Sequence, residues 1–224
     1  MAKCLPRAQV EVWSTFFEGR WSNDYWWQQL MRLPKQLHES LLRYQRWQDR
    51  QLGLLGKLLL LAGLQQRGYG SDCLDRMLWS AEGRPWLQDG PDFNLSHSGH
   101  VVVCAFCSQG RIGVDLEQYR TIDPQDFVLA MSREEMAEIR AADDPSRRLL
   151  QLWTAKESAA KAHGLGLGCD FKTIEVENHQ LFIENKKYSV QYLNVVTDYL
   201  CCLATEVPVT EVRCIEHPIG WSGC

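Results

Sequence analysis

The sequence predicts an α+β fold, organised as one large domain or two small halves. Strands and helices follow one another in two broadly similar halves, an order that favours this class. A length of 224 residues is sufficient to bury a real hydrophobic core. A hydrophobic content of 45% with nine tryptophans is typical of a folded chain and argues against disorder.

The first half is predicted to contain a strand, a long helix and a loop-rich segment. Residues 9–17 alternate well enough for a first strand. Residues 35–68 are predicted to be helical through most of their length, because apolar residues recur at intervals of three and four residues and Gly68 can end the helix. Residues 83–99 are rich in Gly, Pro, Asn and Ser, which predicts mostly loop and turn.

A hairpin is predicted next. Residues 101–107 and 111–118 are strand-like, and the short link "SQG" between them is typical of a hairpin turn. Three more strand-like segments close the chain: "KTIEVEN", "QLFIENKKYSVQYLNVV" and "DYLCCLATEV".

Two helices are predicted between the hairpin and those last strands. Residues 123–142 are expected to be helical, with Asp123 as a cap before Pro124. The next helix is expected to begin at the cap Asp144 and to end at Gly164.

Charge and hydropathy exclude several classes of protein. A net charge of −4 and a pI of about 5.9 provide no global basic field for nucleic acid or anionic lipid. The first 13 residues lack the apolar segment and cleavage site of a signal peptide. The most apolar run, residues 52–64, contains Lys57 and three glycines and is too short to span a bilayer. We therefore expect a cytoplasmic protein with no nucleic-acid or membrane partner.

The cysteines are predicted to be free thiols. Nine is an odd number, and no secretory context favours disulfides. Cys104 and Cys107 form a CxxC within a strand-like run, but no second ligand pair lies at zinc spacing, so buried thiols are favoured there over a metal site.

Two carboxylates on one predicted strand suit a divalent cation. Asp115 and Glu117 are two residues apart, so both side chains point to the same face of the strand. Hard anionic oxygens of this kind form a partial shell for magnesium, which also keeps waters and binds substrate phosphates. An acidic pair facing solvent at a strand end is the alternative.

The stretch "LWTAKESAAKAHG" (152–164) places charged groups on one helix face. Glu157 and Lys161 are at i and i+4, with Trp153 four residues before Glu157. A surface ion pair would explain these charges and would be worth only about 0.2–0.5 kcal/mol. It would not explain the small residues around them, which predict close packing against another element: Ala155, Ser158, Ala159 and Ala160.

Serine and histidine donors for phosphate occur in "NLSHSG". Ser96 and a protonated His97 can both donate hydrogen bonds to phosphate oxygens. A hydrolase is disfavoured, because the chain has no GxSxG elbow and the serines adjoin the histidine in sequence. The common nucleotide cradles GxxxxGK[ST] and GxGxxG are also absent.

Four short motifs in order resemble the 4'-phosphopantetheinyl transferases of the Sfp-like type: "GRP" (83–85), "FNLSHSG" (93–99), "GVDLE" (113–117) and "WTAKESAAK" (153–161). The resemblance covers about residues 35–175. It implies two similar α/β halves related by a pseudo-twofold axis, with coenzyme A in the cleft between them. We place the division at residue 110, so that 1–110 lies on the phosphate and adenine side of coenzyme A and 111–224 carries the magnesium residues and catalytic helix.

The resemblance also implies a reaction. The family transfers the 4'-phosphopantetheine group of coenzyme A to a serine of an acyl- or peptidyl-carrier protein and releases adenosine 3',5'-bisphosphate. The carrier would belong to fatty acid, polyketide or non-ribosomal peptide biosynthesis, and the enzyme would be a holo-[acyl-carrier-protein] synthase acting as a monomer. A coenzyme A- or carrier-binding module without catalysis is the alternative.

Site residues follow from the resemblance by position. Asp115, Glu117 and Glu157 would hold Mg²⁺ on the coenzyme A pyrophosphate, and Lys161 would contact that pyrophosphate. The coenzyme A phosphates would be bound by three further residues: Ser96, His97 and Arg84, the last replacing a lysine often seen between Gly and Pro.

Three roles are left with alternatives. The base that deprotonates the carrier serine is either Glu157 or Glu135, with Glu157 favoured. Lys156 belongs to the motif and either contacts coenzyme A or forms a salt bridge or carrier contact. The resemblance implies an arginine in the long helix that contacts the 3'-phosphate of coenzyme A, but Leu52 occupies that position here. Three nearby arginines are therefore assigned this contact by proximity: Arg43, Arg46 and Arg50.

Overall fold

The structure is a computed structural model that describes residues 8–165, 168–177 and 179–219. It confirms the α+β class. The helices are α1 (Asn23–Leu30), α2 (Lys35–Leu42), α3 (Trp47–Gln66), α4 (Arg133–Ala141) and α5 (Pro145–His163). The strands are β1 (Ala8–Phe16), β2 (Met77–Trp79), β3 (Pro85–Leu87), β4 (Asp92–Ser98), β5 (Val101–Cys107), β6 (Ile112–Gln118), β7 (Glu175–Glu177), β8 (Gln180–Ile183), β9 (Lys186–Leu193), β10 (Tyr199–Thr205) and β11 (Val209–Glu216).

Two sheets lie face to face between outer helices. The first sheet has the order β11-β1-β5-β4, and the second has the order β6-β10-β9-β8-β7. Valines and alanines of β1 and β5 pack against β6 and β10 in the apolar layer between the sheets. The helices α1, α2 and α3 cover the outer face of the first sheet, and α5 covers the outer face of the second. Each sheet is therefore buried on both faces near its centre.

The last strand of the chain returns to the first sheet. β11 pairs in parallel with β1, with Val212 opposite Val10, and we did not predict it. All other described pairings within the two sheets are antiparallel. The predicted division at residue 110 falls in the crossover between β5 and β6.

Side chains of β4 join the two sheets. Four side-chain oxygens of alternate residues in β4 accept hydrogen bonds from successive outward backbone N–H groups of β6, at 2.7–3.3 Å. This seam is formed by Asp92, Asn94, Ser96 and Ser98, which accept from Ile112, Val114, Leu116 and Gln118 respectively. The outward backbone N–H groups of β6 are thus hydrogen-bonded by side chains, although no strand pairs with that edge.

The seam explains why the loop prediction for residues 83–99 was wrong. Asp, Asn and Ser are disfavoured in strands because their side chains compete for backbone groups. In β4 those side chains bond the backbone of β6, so the same residues stabilise a strand. β3 also falls within this segment.

The predicted hairpin is wrong as well. β5 pairs with β1 and β4, whereas β6 pairs with β10, so the link between them crosses from one sheet to the other. Periodicity identified both strands, but it holds no information about which neighbour each strand selects.

Both long helical predictions are interrupted. The segment 35–68 is two helices, α2 and α3, because residues 43–46 turn the chain and let Leu37 and Leu41 of α2 pack on α3. The segment 123–142 holds a short 3-10 turn capped by Asp123 and then α4, whose capping box is formed by Ser132 and Glu135.

Seven cysteines lie in the described part of the chain, and all are free thiols. Cys104 and Cys107 belong to the apolar layers on opposite faces of β5, so they do not form one site. No helix within the described ranges is long and apolar enough to cross a membrane.

Candidate active site at the seam

Close packing of α5 on β6 places the predicted motifs together. A Cβ atom added at Gly113 would lie 1.8 Å from the Ser158 carbonyl oxygen and 2.6 Å from the backbone nitrogen of Ala162. Only glycine permits this approach. The small residues on α5 at this contact, Ser158, Ala159 and Ala162, are all buried. The prediction that this helix packs closely against another element is confirmed.

Asp115 lies at the centre of the site. Its Oδ1 accepts a hydrogen bond from Lys161 Nζ at 2.6 Å and another from Ser96 Oγ at 2.9 Å. Lys161 Nζ also donates to Ser96 Oγ at 3.1 Å and to the Val114 carbonyl at 3.3 Å. Three of the predicted motifs, from β4, β6 and α5, therefore meet at one carboxylate.

The two predicted glutamates lie near enough to Asp115 to feel its charge. Burial raises the pKa of Glu117, and the negative charge of Asp115 raises it further, while a hydrogen bond from Ser98 Oγ at 2.9 Å opposes the shift. Burial also raises the pKa of Glu157; Lys161 opposes this shift, and Asp115 and Glu117 add to it. Excess negative charge is thus concentrated where β6 faces α5.

This cluster suits a cation as a partial shell. Asp115 Oδ2 is buried and has no hydrogen-bond partner in the described part of the chain. Among the residues that the structure describes, no group of three His, Cys, Asp or Glu side chains is arranged to hold a metal ion without further ligands. Magnesium commonly takes one or two carboxylates and completes its shell with water and substrate phosphate, so an orphaned carboxylate oxygen with acidic neighbours fits that ion.

A cavity of about 620 Å³ opens beside the cluster, between α2, α3 and β4. Ser96 and His97 line it, as does Arg43. His97 is exposed on the cavity side of β4, and desolvation together with the charge of Lys161 lowers the pKa of its imidazole. A neutral imidazole can still donate one N–H to a phosphate oxygen. Ser96 and His97 therefore line this cavity, and their role in binding phosphate stays a prediction.

Arg84 joins the strands β4 and β6 to the helix α5. Its guanidinium bonds Asp92 Oδ2 at 2.6 Å and the carbonyl oxygens of Phe93, Ile112 and Lys161. The side chain is 6% exposed, which leaves it little surface for a cofactor. Arg84, predicted to bind a phosphate of coenzyme A, therefore has a structural role between β4, β6 and α5.

Lys156 and Glu135 form a buried pair. Lys156 is fully buried, and its Nζ donates to Glu135 Oε2 at 2.6 Å, to the Phe171 carbonyl at 2.8 Å and to the Ala130 carbonyl at 3.3 Å. Glu135 Oε2 also accepts from the backbone N–H of Ser132 at 2.7 Å. Of the alternatives for Lys156, this geometry matches the salt bridge. Glu135 is occupied by the same bonds, whereas Glu157 makes no ion pair in the described part of the chain.

Trp153 fixes the start of the motif on α5. Its ring meets Phe127 edge-on at a centroid distance of 5.1 Å and lies tilted 5.0 Å from Phe171. Aromatic contacts of this geometry add about 0.5–1.5 kcal/mol beyond the area that they bury. The tryptophan thus anchors the helix that carries Glu157 and Lys161.

The three arginines predicted near the 3'-phosphate lie in different places. Arg43 lines the cavity and forms an exposed pair with Glu39 at 2.5 Å. Arg46 is the exposed N-cap residue of α3. Arg50 donates to the Tyr44 carbonyl at 3.0 Å and lies over the Trp26 ring. Only Arg43 of these three lines the cavity.

Sequence reasoning missed two features of the site. Lys57 of α3 lines the cavity, although we used it only to exclude a membrane span. The acceptor series in β4 was also missed, and its signal was the alternation of short polar side chains from Asp92 to Ser98.

The family model that this chain matches covers the last two of the four motifs, 113–117 and 153–161. Residues 111–204 match the family model described as the 4'-phosphopantetheinyl transferase superfamily. The chain is 34% identical over 147 residues to 4'-phosphopantetheinyl transferase Sfp of Bacillus subtilis, covering 63% of this chain and 65% of that one. It is 29% identical over 195 residues to 4'-phosphopantetheinyl transferase pptA of Paxillus involutus, covering 75% and 73%.

These matches bear out the predicted resemblance to the phosphopantetheinyl transferases of the Sfp-like type. The chain spans just under two-thirds of the length of Sfp, at 65%. Among solved structures, holo-[acyl-carrier-protein] synthase of Thermotoga maritima aligns with a TM-score of 0.34 and 15% identity, over 44% of this chain and 63% of that one.

Proposed function

We propose that this protein transfers the 4'-phosphopantetheine group of coenzyme A to a serine of an acyl- or peptidyl-carrier protein, with Mg²⁺. The observation that carries the proposal is the convergence of Ser96, Lys161 and the half-satisfied Asp115 at the seam. A site of this kind can place an anionic phosphate beside a cation. The names of the similar proteins state that they are 4'-phosphopantetheinyl transferases, which supports the transferred group.

Asp115, Glu117 and Glu157 would hold the magnesium ion. When bound, it would supply positive charge to the pyrophosphate of coenzyme A. The raised pKa values of both glutamates support this assignment, because a cation among them would relieve their mutual repulsion.

Lys161 would neutralise charge on the pyrophosphate. Its side chain is 28% exposed, and its ammonium lies between Ser96 of β4 and Asp115 of β6, where a phosphate oxygen would approach it from the open side. Ser96 and His97 would donate hydrogen bonds to coenzyme A phosphates from the cavity wall. Phosphoryl transfer asks a protein mainly for this positioning and charge neutralisation.

The transfer forms one phosphorus–oxygen bond and breaks another. The carrier serine oxygen would bond to the phosphorus that bears pantetheine, and the bridging bond of the pyrophosphate would break to release adenosine 3',5'-bisphosphate. Glu157 would accept the serine proton. Glu157 makes no ion pair in the described residues, whereas Glu135 is bonded to Lys156, and this difference favours Glu157 as the base.

The partners proposed are coenzyme A and a carrier protein, with the chain acting as a cytoplasmic monomer. Residues 1–110 would hold the phosphate and adenine side of coenzyme A, and residues 111–224 would supply the acidic cluster. For an acyl-carrier substrate the reaction is that of a holo-[acyl-carrier-protein] synthase.

An intact-mass assay of an apo carrier protein tests the proposal. With coenzyme A and Mg²⁺, the carrier is expected to gain one phosphopantetheine group, and EDTA should stop the gain. A transfer that proceeds equally with EDTA would contradict the metal assignment. Coenzyme A binding without any mass gain, across carriers of all three pathways, would favour the non-catalytic module.

A further inference from the structure

Two serines of β4 bond the two acidic residues of β6 in the same way. Ser96 Oγ donates to Asp115 Oδ1 at 2.9 Å, and Ser98 Oγ donates to Glu117 Oε2 at 2.9 Å. Each serine oxygen also accepts the backbone N–H of the residue that follows the acidic one, at 3.3 and 3.0 Å. Because a hydroxyl has a single proton, each serine directs that proton at a carboxylate.

Each of these carboxylates keeps its second oxygen for a cation. Asp115 Oδ2 is buried and has no hydrogen-bond partner among residues 8–165, 168–177 and 179–219. The hydrogen bond from Ser98 is the one that Glu117 accepts within those ranges, and it goes to Oε2. Both carboxylates can therefore offer one oxygen to a cation and still keep the bond to their serine.

The turn after Ser98 fixes its distance from Glu117. Gly99 has a φ of +57°, and an added Cβ would lie 2.5 Å from Gln118 Oε1 and 2.6 Å from the Tyr199 hydroxyl oxygen. A positive φ with so close a contact favours glycine. The end of β4 consequently lies against the ends of β6 and β10, which keeps the Ser98 hydroxyl within reach of the glutamate.

The number of free carboxylate oxygens matters for the choice between Mg²⁺ and Ca²⁺. Magnesium demands near-octahedral geometry at about 2.0–2.1 Å and keeps several waters, so single carboxylate oxygens suit it. Calcium takes about six to eight oxygens at about 2.3–2.6 Å and can take both oxygens of one carboxylate. A hydrogen bond that holds one oxygen of Glu117 disfavours this second mode.

We propose that Ser98 is a positioning residue that keeps Glu117 as a one-oxygen ligand and so makes the site selective for Mg²⁺ over Ca²⁺. This inference rests on the proposed function, which assigns magnesium to Asp115, Glu117 and Glu157. Ser98 acts through Glu117 and contacts neither the ion nor a phosphate. Loss of a hydrogen-bond partner of a metal ligand commonly lowers metal affinity by about 10- to 100-fold.

Displacement of Mn²⁺ by Mg²⁺ and by Ca²⁺ tests the inference on the full chain with saturating coenzyme A. The electron paramagnetic resonance signal of free Mn²⁺ gives the Kd of each ion without any transfer reaction, and coenzyme A alone gives the background. Ser98→Ala should weaken Mg²⁺ binding by about 10-fold. It should change Ca²⁺ binding by less than about 2-fold, because calcium gains access to Oε2. Ser98→Thr keeps the hydroxyl and should restore the wild-type preference.

Asn94→Ala separates selectivity from closure of the seam. Asn94 Oδ1 accepts the N–H of Val114 at 2.9 Å, so this variant removes a seam hydrogen bond without removing the one to Glu117. Both alanine variants should unfold at a lower urea concentration, whereas Asn94→Ala should keep the wild-type ratio of the two affinities. If Ser98→Ala does not fold, Ser98→Cys provides the comparison, because a thiol is a weak donor.

The outcomes distinguish this inference from the proposed function. A wild-type ratio of the two affinities in Ser98→Ala, or an equal change of ratio in Asn94→Ala, overturns the positioning role, while metal-dependent transfer by the wild type leaves the proposed function standing. A wild-type chain that binds neither Mn²⁺ nor Mg²⁺ and still transfers with EDTA overturns both this inference and the metal assignment.

Discussion

The buried pair of Lys156 and Glu135 leads to a prediction about the motif lysine. Lys156→Met keeps most of the side-chain volume but removes the ammonium, which leaves Glu135 charged with only 12% of its side chain exposed. The carbonyl oxygens of Ala130 and Phe171 also lose their donor. Breaking a buried pair in this way costs about 3–5 kcal/mol of unfolding free energy.

For a chain of this size that loss corresponds to a fall in Tm of roughly 6–20 °C. Urea unfolding of the wild type and Lys156→Met would measure it directly. The double variant Glu135→Gln with Lys156→Met should recover at least about 1 kcal/mol, since the stranded charge is gone. Lys172→Met is the matched control, because that lysine is exposed in the segment next to Phe171.

Coenzyme A binding by the same variant decides between the salt-bridge role of Lys156 and a direct contact with coenzyme A. Where Lys156→Met is still folded, its affinity for coenzyme A should match the wild-type affinity within about 2-fold. A variant of wild-type stability that binds coenzyme A about 10-fold more weakly would refute the structural account and favour direct contact.

Two further predictions concern the packing and charge of the seam. Gly113→Ala should lower the unfolding free energy by about 1–3 kcal/mol or more, because its Cβ would collide with the Ser158 carbonyl; Gly19→Ala, with no atom within 4 Å, is the control, and equal urea midpoints would contradict the packing argument. Glu157→Gln should raise the unfolding free energy of the metal-free protein at pH 7 by about 0.5–2 kcal/mol, because it removes a partly buried charge that Asp115 and Glu117 also repel. Because the folded-state pKa of Glu157 is raised, the difference in unfolding free energy between the variant and the wild type should be absent below about pH 4 and grow as the pH rises through that pKa. Unfolding curves at several pH values would measure this difference, and a pH-independent difference would contradict the prediction.

The helix and strand that carry the charged residues were predictable because their patterns are local. Period two places Asp115 and Glu117 on one face of a strand, and the spacing of four does the same for Glu157 and Lys161 on a helix. Caps at Asp144 and Gly164 fixed the ends of that helix. Each of these inferences needs only a few neighbouring residues.

The seam could not be predicted in the same way, because it joins distant strands through side chains. Hydrophobic alternation describes how a strand meets a core, whereas Asn94 and Ser96 meet the backbone of β6. The parallel pairing of β11 with β1 likewise depends on which edge of the sheet remains open. The sequence shows Lys57 only as a charge within an apolar helix. That it lines a cavity depends on how α2 and β4 pack beside α3.

We expect the carboxylate of Asp115, at the centre of the candidate site, to be required for transfer and not merely for folding. Single-turnover transfer to an apo carrier, followed by intact mass, would compare Asp115→Asn with Asp143→Asn, which changes an exposed aspartate between α4 and α5. Asp115→Asn should lose about 10²-fold or more of the transfer rate at unchanged fold, and the control should keep full activity. Transfer by Asp115→Asn at the wild-type rate would contradict it.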